Sequence, residues 1–479
     1  MQVSVKLDMD KVVYDKNGSV NLMATLEAPD VSKESKRSQL CVCAVIDRSG
    51  SMQTTGKSKN GNKMDYVKRS MYKMIDHMTE DDSLALVFFD HSVESVDFRK
   101  MNSANKEVMR QAIAKVQPRG NTDIGAALRK AGELFAQYEG GVKSVERIML
   151  LTDGVANMGA ERQEQFAPIV SGLRRGVSVS CFGYGEDFNE ELLTGIAKHG
   201  KGNNYYIETP DSVSKVFAVE LGGLLTCYAQ EIVLSIKTHK GASVTNVLND
   251  VDVSTRQDSD GELVTDVKVG DIYAGERRDI IVRIGFEKRP QALPRPITLA
   301  DVSLSYLSMD DSKSKTDSSK VKVELVKTAS EATQKPDAAI AEQVAILEAA
   351  VIMAQAKKMA DEGQWMEAKN HIFTSSSALR DVGTEKSVQY ACSMDSFADS
   401  LSADYSAGNT LSKGMGSFAY STATRSVGSV GNAAGAGSKL QMNAVMSSLV
   451  DAFDADPLAA DKTDENPVVG LYAKTSTSR

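Results

Sequence analysis

Hydrophobic residues are spaced in three different ways along this chain, and each spacing predicts a different kind of element. Leu40 to Ile46 is an unbroken apolar run, as is most of Arg147 to Thr152. Runs of this length bounded by polar turns predict strands buried on both faces of a parallel sheet. Ser83 to Phe89 and Val177 to Gly183 read the same way. Between them lie helical stretches: Met64, Val67, Met71, Met74 and Met78 recur at helical spacing, and Ala104 to Val116 is helix-like. Strands alternating with helices predict a doubly wound, Rossmann-like α/β domain over residues 38–227. The methionine stripe is read as core.

On either side of this region the apolar period is two. Val3/Val5/Leu7 and Val20/Leu22/Leu26 precede it; Ile232/Leu234/Ile236, Ile280/Val282/Ile284/Phe286, Val302/Leu304/Tyr306 and Val321/Val323/Leu325 follow. Short strands separated by Gly, Asp, Pro and Ser clusters predict an antiparallel β-sandwich. The N-terminal pair is too small to be stable alone. Residues 1–37 and 228–327 are therefore expected to form one split sandwich, with the α/β domain inserted in it.

From 330 to 404 the period is helical again. Ile340, Val344, Leu347 and Val351 line one face, Trp365, Ala368 and Ile372 another, and Tyr390, Met394, Phe397 and Leu401 a third, which predicts a small α-helical region. Residues 405–439, rich in Ser, Gly, Ala and Thr, read as a flexible linker. In 440–479 the stripe Met442, Val445, Met446, Leu449, Val450 and Phe453 predicts a helix over 440–453 that either packs back on the body or docks into a second partner's groove; the long linker before it and the acidic tail after it favour docking.

The candidate chemistry sits where two buried strands end. Asp47-Arg48-Ser49-Gly50-Ser51-Met52 follows the first run and Asp153-Gly154 follows the second, while Arg119 to Gly125 is a turn that offers the hydroxyl of Thr122. In open α/β sheets ligands bind at the carboxyl ends of the strands. Carboxylates and hydroxyls with no His or Cys among them suit a hard cation such as Mg²⁺.

In this order and context Asp47, Ser49, Ser51, Thr122 and Asp153 resemble the metal-ion-dependent adhesion site of the von Willebrand factor A (VWA) domain, and the resemblance spans roughly residues 38 to 225. It implies that these five residues hold Mg²⁺, with Mn²⁺ or Ca²⁺ as alternatives. It also implies that an Asp or Glu of a protein partner completes the metal's shell, so that the chain is a non-enzymatic scaffold or adaptor. The layout is similar to that of the calcium-activated-chloride-channel-like VWA group. Plant relatives with this arrangement can carry a RING finger, but this chain has no Cys/His cluster to form one.

Two enzyme readings use the same residues. A P-loop-like NTPase would read Gly50 and Gly56-Lys57-Ser58 as its phosphate loop, but five residues separate the glycines where the motif has four. A Mg²⁺-dependent aspartyl phosphatase would use Asp47 as nucleophile, but Ser49 stands where its general acid is needed. The basic loop with Lys57, Lys59 and Lys63 reads either as a plain solvated loop or as a rim to the site that helps select an acidic partner.

Bulk properties narrow the field. A net charge of −8 gives no basic face for nucleic acid. The apolar stretch Val219 to Ile236 is interrupted by Glu220, Gln230 and Glu231, so no transmembrane segment is expected. The start shows no basic segment followed by an apolar one, and the five dispersed cysteines fit reduced thiols, so a cytoplasmic location is expected.

Overall fold

The computed structural model describes residues 1–30, 37–55, 61–139, 144–153, 158–160, 162–184, 188–207, 212–288, 296–311, 313–332, 336–402, 405, 410–425 and 449. The first apolar run forms the strand Gln39–Asp47, which is central in a six-stranded sheet. Across that sheet the order is 93–100, 83–89, 39–47, 144–152, 178–184, 201–207. All pairings are parallel except that of Val93–Lys100, which returns antiparallel along Ser83–Phe89. That edge strand is not legible in the apolar pattern, because Glu94, Ser95, Asp97 and Arg99 make it mostly polar.

Helices cover both faces of the sheet. Met64, Val67, Met71 and Met74 of the helix Lys63–His77 share one apolar cluster with Phe217 and Leu221 of the helix Ser212–Leu225. Ile124, Leu128 and Phe135 of the helix Ile124–Gln137 share the other with Leu192 and Ile196 of the helix Glu190–His199. The chain leaves the central strand for 83–89 on one side and later adds 144–152 on the other. The carboxyl ends of these strands thus splay apart at Asp47, which opens a crevice there.

Residues before and after this domain meet in two antiparallel sheets. Gly18–Glu27 pairs with Gln2–Leu7 and with Arg277–Phe286, and Ala242–Val247 completes a four-stranded sheet. The other sheet has seven strands centred on Cys227–Thr238 and Ile297–Ser308; within it Lys11–Val13 lies parallel to Ser314–Val326. Leu22 and Leu26 of the first sheet share one buried cluster with Leu234, Ile236, Val302 and Leu304 of the second. Period two places these side chains on the inward faces.

The helix Ala338–Asp361 lies on the outside of the four-stranded sheet, where Ile340 and Leu347 meet Met23 and Ile281. Its remaining apolar face packs with Trp365–Val382 and Glu385–Ser400. Val351 departs from the expected stripe and is 49% exposed. By length and composition alone this helix is apolar enough to cross a membrane, and here its apolar side chains meet the sheet and the neighbouring helices. Val219 to Ile236, by contrast, is divided between the helix Ser212–Leu225 and the strand Cys227–Thr238.

One expectation for the C-terminal third is corrected. Within the supposed linker 405–439, Thr410–Arg425 is a helix whose Met415, Phe418 and Ala419 join the cluster of Met394 and Phe397. Its glycines permit close approach, since a Cβ on Gly416 would overlap the Glu190 carboxylate. Of the segment 440–479, only Leu449 lies among the described residues. It is fully buried in the cluster of Met64 and Phe217, and the rest of the expected docking helix 440–453 lies outside the described residues.

Glu190 is covered where these helices meet the α/β domain, 3.6 Å from Lys357 Nζ. Burial pushes its carboxyl up to about 7, against the lowering effect of Lys357 and Lys413. The folded chain therefore keeps a proton that the unfolded chain releases near pH 4.5, so this contribution to stability is lost as pH rises toward 7. In Glu190→Gln the fall in urea stability between pH 5 and 7.5 should shrink by about 2–3 kcal/mol relative to the parent.

Candidate functional site

The five candidate residues lie on three loops at the crevice. Asp47 ends the central strand and Asp153 directly follows Ser144–Thr152. Ser51 sits in the short 3₁₀ turn Gly50–Gln53, with Ser49 at its cap. That turn is held down by Met52, which is fully buried in the core below. Thr122 is buried in the turn ahead of the helix Ile124–Gln137, whose cap Asp123 accepts from Ala126 N at 2.9 Å.

Cross-bonds hold the loops in register. Gly50 N donates to Gly120 O at 3.2 Å and Arg119 N to Arg48 O at 2.6 Å. Asp90, at the end of Ser83–Phe89, accepts from Arg48 Nε at 3.0 Å and from Arg119 Nε at 2.8 Å. Burial would raise the Asp90 carboxyl, but the bonds from Arg119 and Ser92 and the Arg48 charge hold it well below the usual carboxylate range. Gly120 has φ +70°, and a Cβ there would overlap His91, so the turn before Thr122 requires glycine.

Four of the candidate side chains form a continuous chain of short contacts. Ser49 Oγ and Ser51 Oγ are 3.0 Å apart, and Ser51 Oγ donates to Asp153 Oδ1 at 2.7 Å. Asp47 accepts from Ser49 N at 2.7 Å and from Thr152 Oγ1 at 2.5 Å. Thr122 follows two residues after Gly120, whose carbonyl accepts from Gly50 N and so ties its turn to the loop of Ser49 and Ser51. Asp47 is fully buried, which pushes its carboxyl up to about 7; bonds from Thr152 and Ser49 oppose the rise and the Asp153 charge adds to it.

Lys63 departs from its expected place on a solvent-facing rim. It is buried, and its Nζ lies 2.6 Å from Asp153 Oδ2. Lys57 and Lys59 lie outside the described residues, as do Gly56 and Ser58. Sequence reasoning also missed Thr152, Arg48, Arg119 and Asp90 as parts of the site. Thr152, Arg48 and Asp90 stand at or one position beyond strand ends, which was the available signal, whereas Arg119 lies in the turn ahead of the helix Ile124–Gln137.

The donor set fits a divalent cation. Neighbouring oxygens of an octahedron around Mg²⁺ lie about 2.9 Å apart, given metal–oxygen distances of about 2.0–2.1 Å. Ser49 Oγ and Ser51 Oγ match that spacing at 3.0 Å. Among the described residues no group of three or more His, Cys, Asp or Glu could hold a metal, so a cation here would depend on the hydroxyls. Among the described residues the next α-helix after the 3₁₀ turn starts at Lys63, with Asn62 as its cap, and Gly56-Lys57-Ser58 of the phosphate-loop reading lies outside them.

Comparison with known proteins places this site in a family context. Residues 42–219 match the family model of the von Willebrand factor type A domain. The uncharacterized protein sll0103 of Synechocystis sp. is 23% identical over 317 residues, covering 63% of this chain and 71% of that one. The E3 ubiquitin-protein ligase WAV3 of Arabidopsis thaliana is 23% identical over 252 residues, 52% of this chain but 31% of that protein. Among solved structures, a von Willebrand factor type A protein from Catenulispora acidiphila aligns with a TM-score of 0.70 at 17% identity, over 88% of this chain and 96% of the other. At that identity the likeness is one of fold.

Proposed function

Since residues 42–219 match the family model of the von Willebrand factor type A domain, we propose that this protein is a metal-dependent protein-interaction module. Its metal-ion-dependent adhesion site would consist of Asp47, Ser49, Ser51, Thr122 and Asp153. A bound Mg²⁺ or similar ion supplies a Lewis-acidic position that a partner's Asp or Glu carboxylate can fill. The residues of the chain position and balance that ion: the serine pair and Thr122 offer neutral oxygens, and Asp47 and Asp153 supply two negative charges. Two charges balance the ion without saturating it, which leaves it attractive to an incoming carboxylate.

The observation that carries this reading is the 3.0 Å spacing of Ser49 Oγ and Ser51 Oγ beside Asp153. The two-sheet unit and the C-terminal helices act as a frame for the inserted domain. A scaffold or adaptor role follows from a binding site set on a rigid frame. The likeness to a ubiquitin ligase covers less than a third of that protein, and ligase activity is not part of this proposal.

Affinity capture from source cells tests the reading in three arms: wild type in Mg²⁺, wild type in EDTA, and Asp47→Ala/Ser49→Ala in Mg²⁺. Proteins held by the first arm and lost from the other two, with affinity falling at least about a hundredfold, are the expected result. Identical capture in all three arms would defeat the metal-bridged mechanism.

A further inference from the structure

The buried contact between Lys63 and Asp153 has no place in the mechanism above. We propose that Lys63 is a built-in competitor for the cation, its ammonium and the divalent ion drawing on the same Asp153 carboxylate, so that this one side chain sets the metal affinity. The proposal rests on the reading of the site given above.

Three observations support it. First, the two oxygens of Asp153 are divided between the site and the lysine: Ser51 Oγ takes Oδ1 at 2.7 Å and Lys63 Nζ takes Oδ2 at 2.6 Å. Second, Asp153 is fully buried and Lys63 nearly so, at 7% exposure. Charges so placed are weakly screened, and the ammonium's repulsion of a nearby dication is correspondingly strong. Third, the base of the side chain is fixed. Lys63 is the first residue of its helix, and its N–H donates to Thr54 O at 3.1 Å. Asn62 and Asp65 close a reciprocal cap around it, at 2.9 and 3.0 Å.

The neighbouring cations are directed elsewhere. Arg48 and Arg119 both reach Asp90 and Glu94. As a compact point charge on a flexible stem, an ammonium can pair with the carboxylate and still withdraw when an ion competes for it.

The test uses the full chain and Mn²⁺ alone, with bound and free ion read by electron paramagnetic resonance and affinity by calorimetry. Lys63→Met is expected to bind Mn²⁺ at least about tenfold more tightly than wild type. It should also melt at a lower temperature in EDTA, because Asp153 is left buried without its partner. Lys63→Arg keeps the charge and is expected to stay within about threefold of wild type. Asp47→Ala should abolish binding in either background. Tighter binding combined with lower stability in EDTA is the diagnostic pair, since a purely structural lysine would lower both.

If Lys63→Met does not fold, Lys63→Gln, a neutral donor on a shorter stem, is measured the same way. Unchanged or weaker Mn²⁺ affinity in the neutral variants, with normal binding by wild type, overturns this proposal and leaves the metal site standing. Failure of wild type and neutral variants alike to bind Mn²⁺ overturns both.

Discussion

Arg147→Met is expected to lower the free energy of unfolding by about 3–5 kcal/mol, the loss that follows when one member of a buried ionic group is removed. Arg147 lies on the strand Ser144–Thr152 and is only 1% exposed. Its guanidinium donates to Ser180 Oγ at 3.1 Å and to Asp271 Oδ2 at 2.7 Å, and lies 3.6 Å from Glu220 Oε1. Glu220, on the last helix of the inserted domain, accepts in turn from Ser180 Oγ at 2.6 Å, Asn203 Nδ2 at 2.7 Å and Tyr205 OH at 2.8 Å. Burial would raise the Glu220 carboxyl, but Arg147 and these donors hold it below its ordinary value.

Methionine would fill the space while leaving two buried carboxylates without their cation. The network also joins units, since Asp271 belongs to the two-sheet part and also accepts from Gln230 Nε2 at 3.2 Å. Chemical denaturation of Arg147→Met, Glu220→Gln and the double variant measures the coupling directly. The double variant should be less destabilised than the sum of the singles, because each single strands the other's charge. Strict additivity would mean that the pair is not coupled.

Gly202→Ala should cost about 3 kcal/mol or more, at the upper end of overpacking losses, with a lowered melting temperature as the readout. Gly202 lies in the edge strand Lys201–Ile207, where the register with Ser178–Tyr184 shifts and Lys201 adopts φ +56°. A Cβ at 202 would overlap the carbonyl oxygen of Val179 and come within 2.5 Å of its carbon. The obstacle is backbone, which no side-chain rotation relieves. Alanine at Gly261, where nothing lies within 4 Å of a Cβ, provides the comparison for a glycine limited by its positive φ alone. It should lose distinctly less.

These two sites show where sequence reading stopped. Arg147 stands at the start of an apolar run. Its burial depends on Ser180, Glu220 and Asp271, which come from a neighbouring strand, a later helix and the other unit. No local period reports such a meeting. Gly202 was equally silent, because the need for glycine arises from the approach of another strand's backbone. The helix Thr410–Arg425 was hidden for a related reason. Its Ser- and Gly-rich composition resembles a linker, and only the close packing of Phe418 and Gly416 against existing surfaces makes a helix of it.

Elements whose burial was complete or strictly periodic were legible in the chain itself. The central strands could be recognised because both their faces need covering, so the apolar run is continuous and its ends are abrupt. Those abrupt ends singled out Asp47, Ser49, Ser51 and Asp153, and the helix start singled out Thr122. What the sequence lacked was the partner of each charge. Whether Lys63 faces solvent or Asp153 depends on where a helix begins relative to a strand far away in the chain, and so does the pairing of Asp90 with two arginines. Local patterns arise from each residue's own need for burial, whereas charge pairing is decided between segments and appears only once the chain has folded.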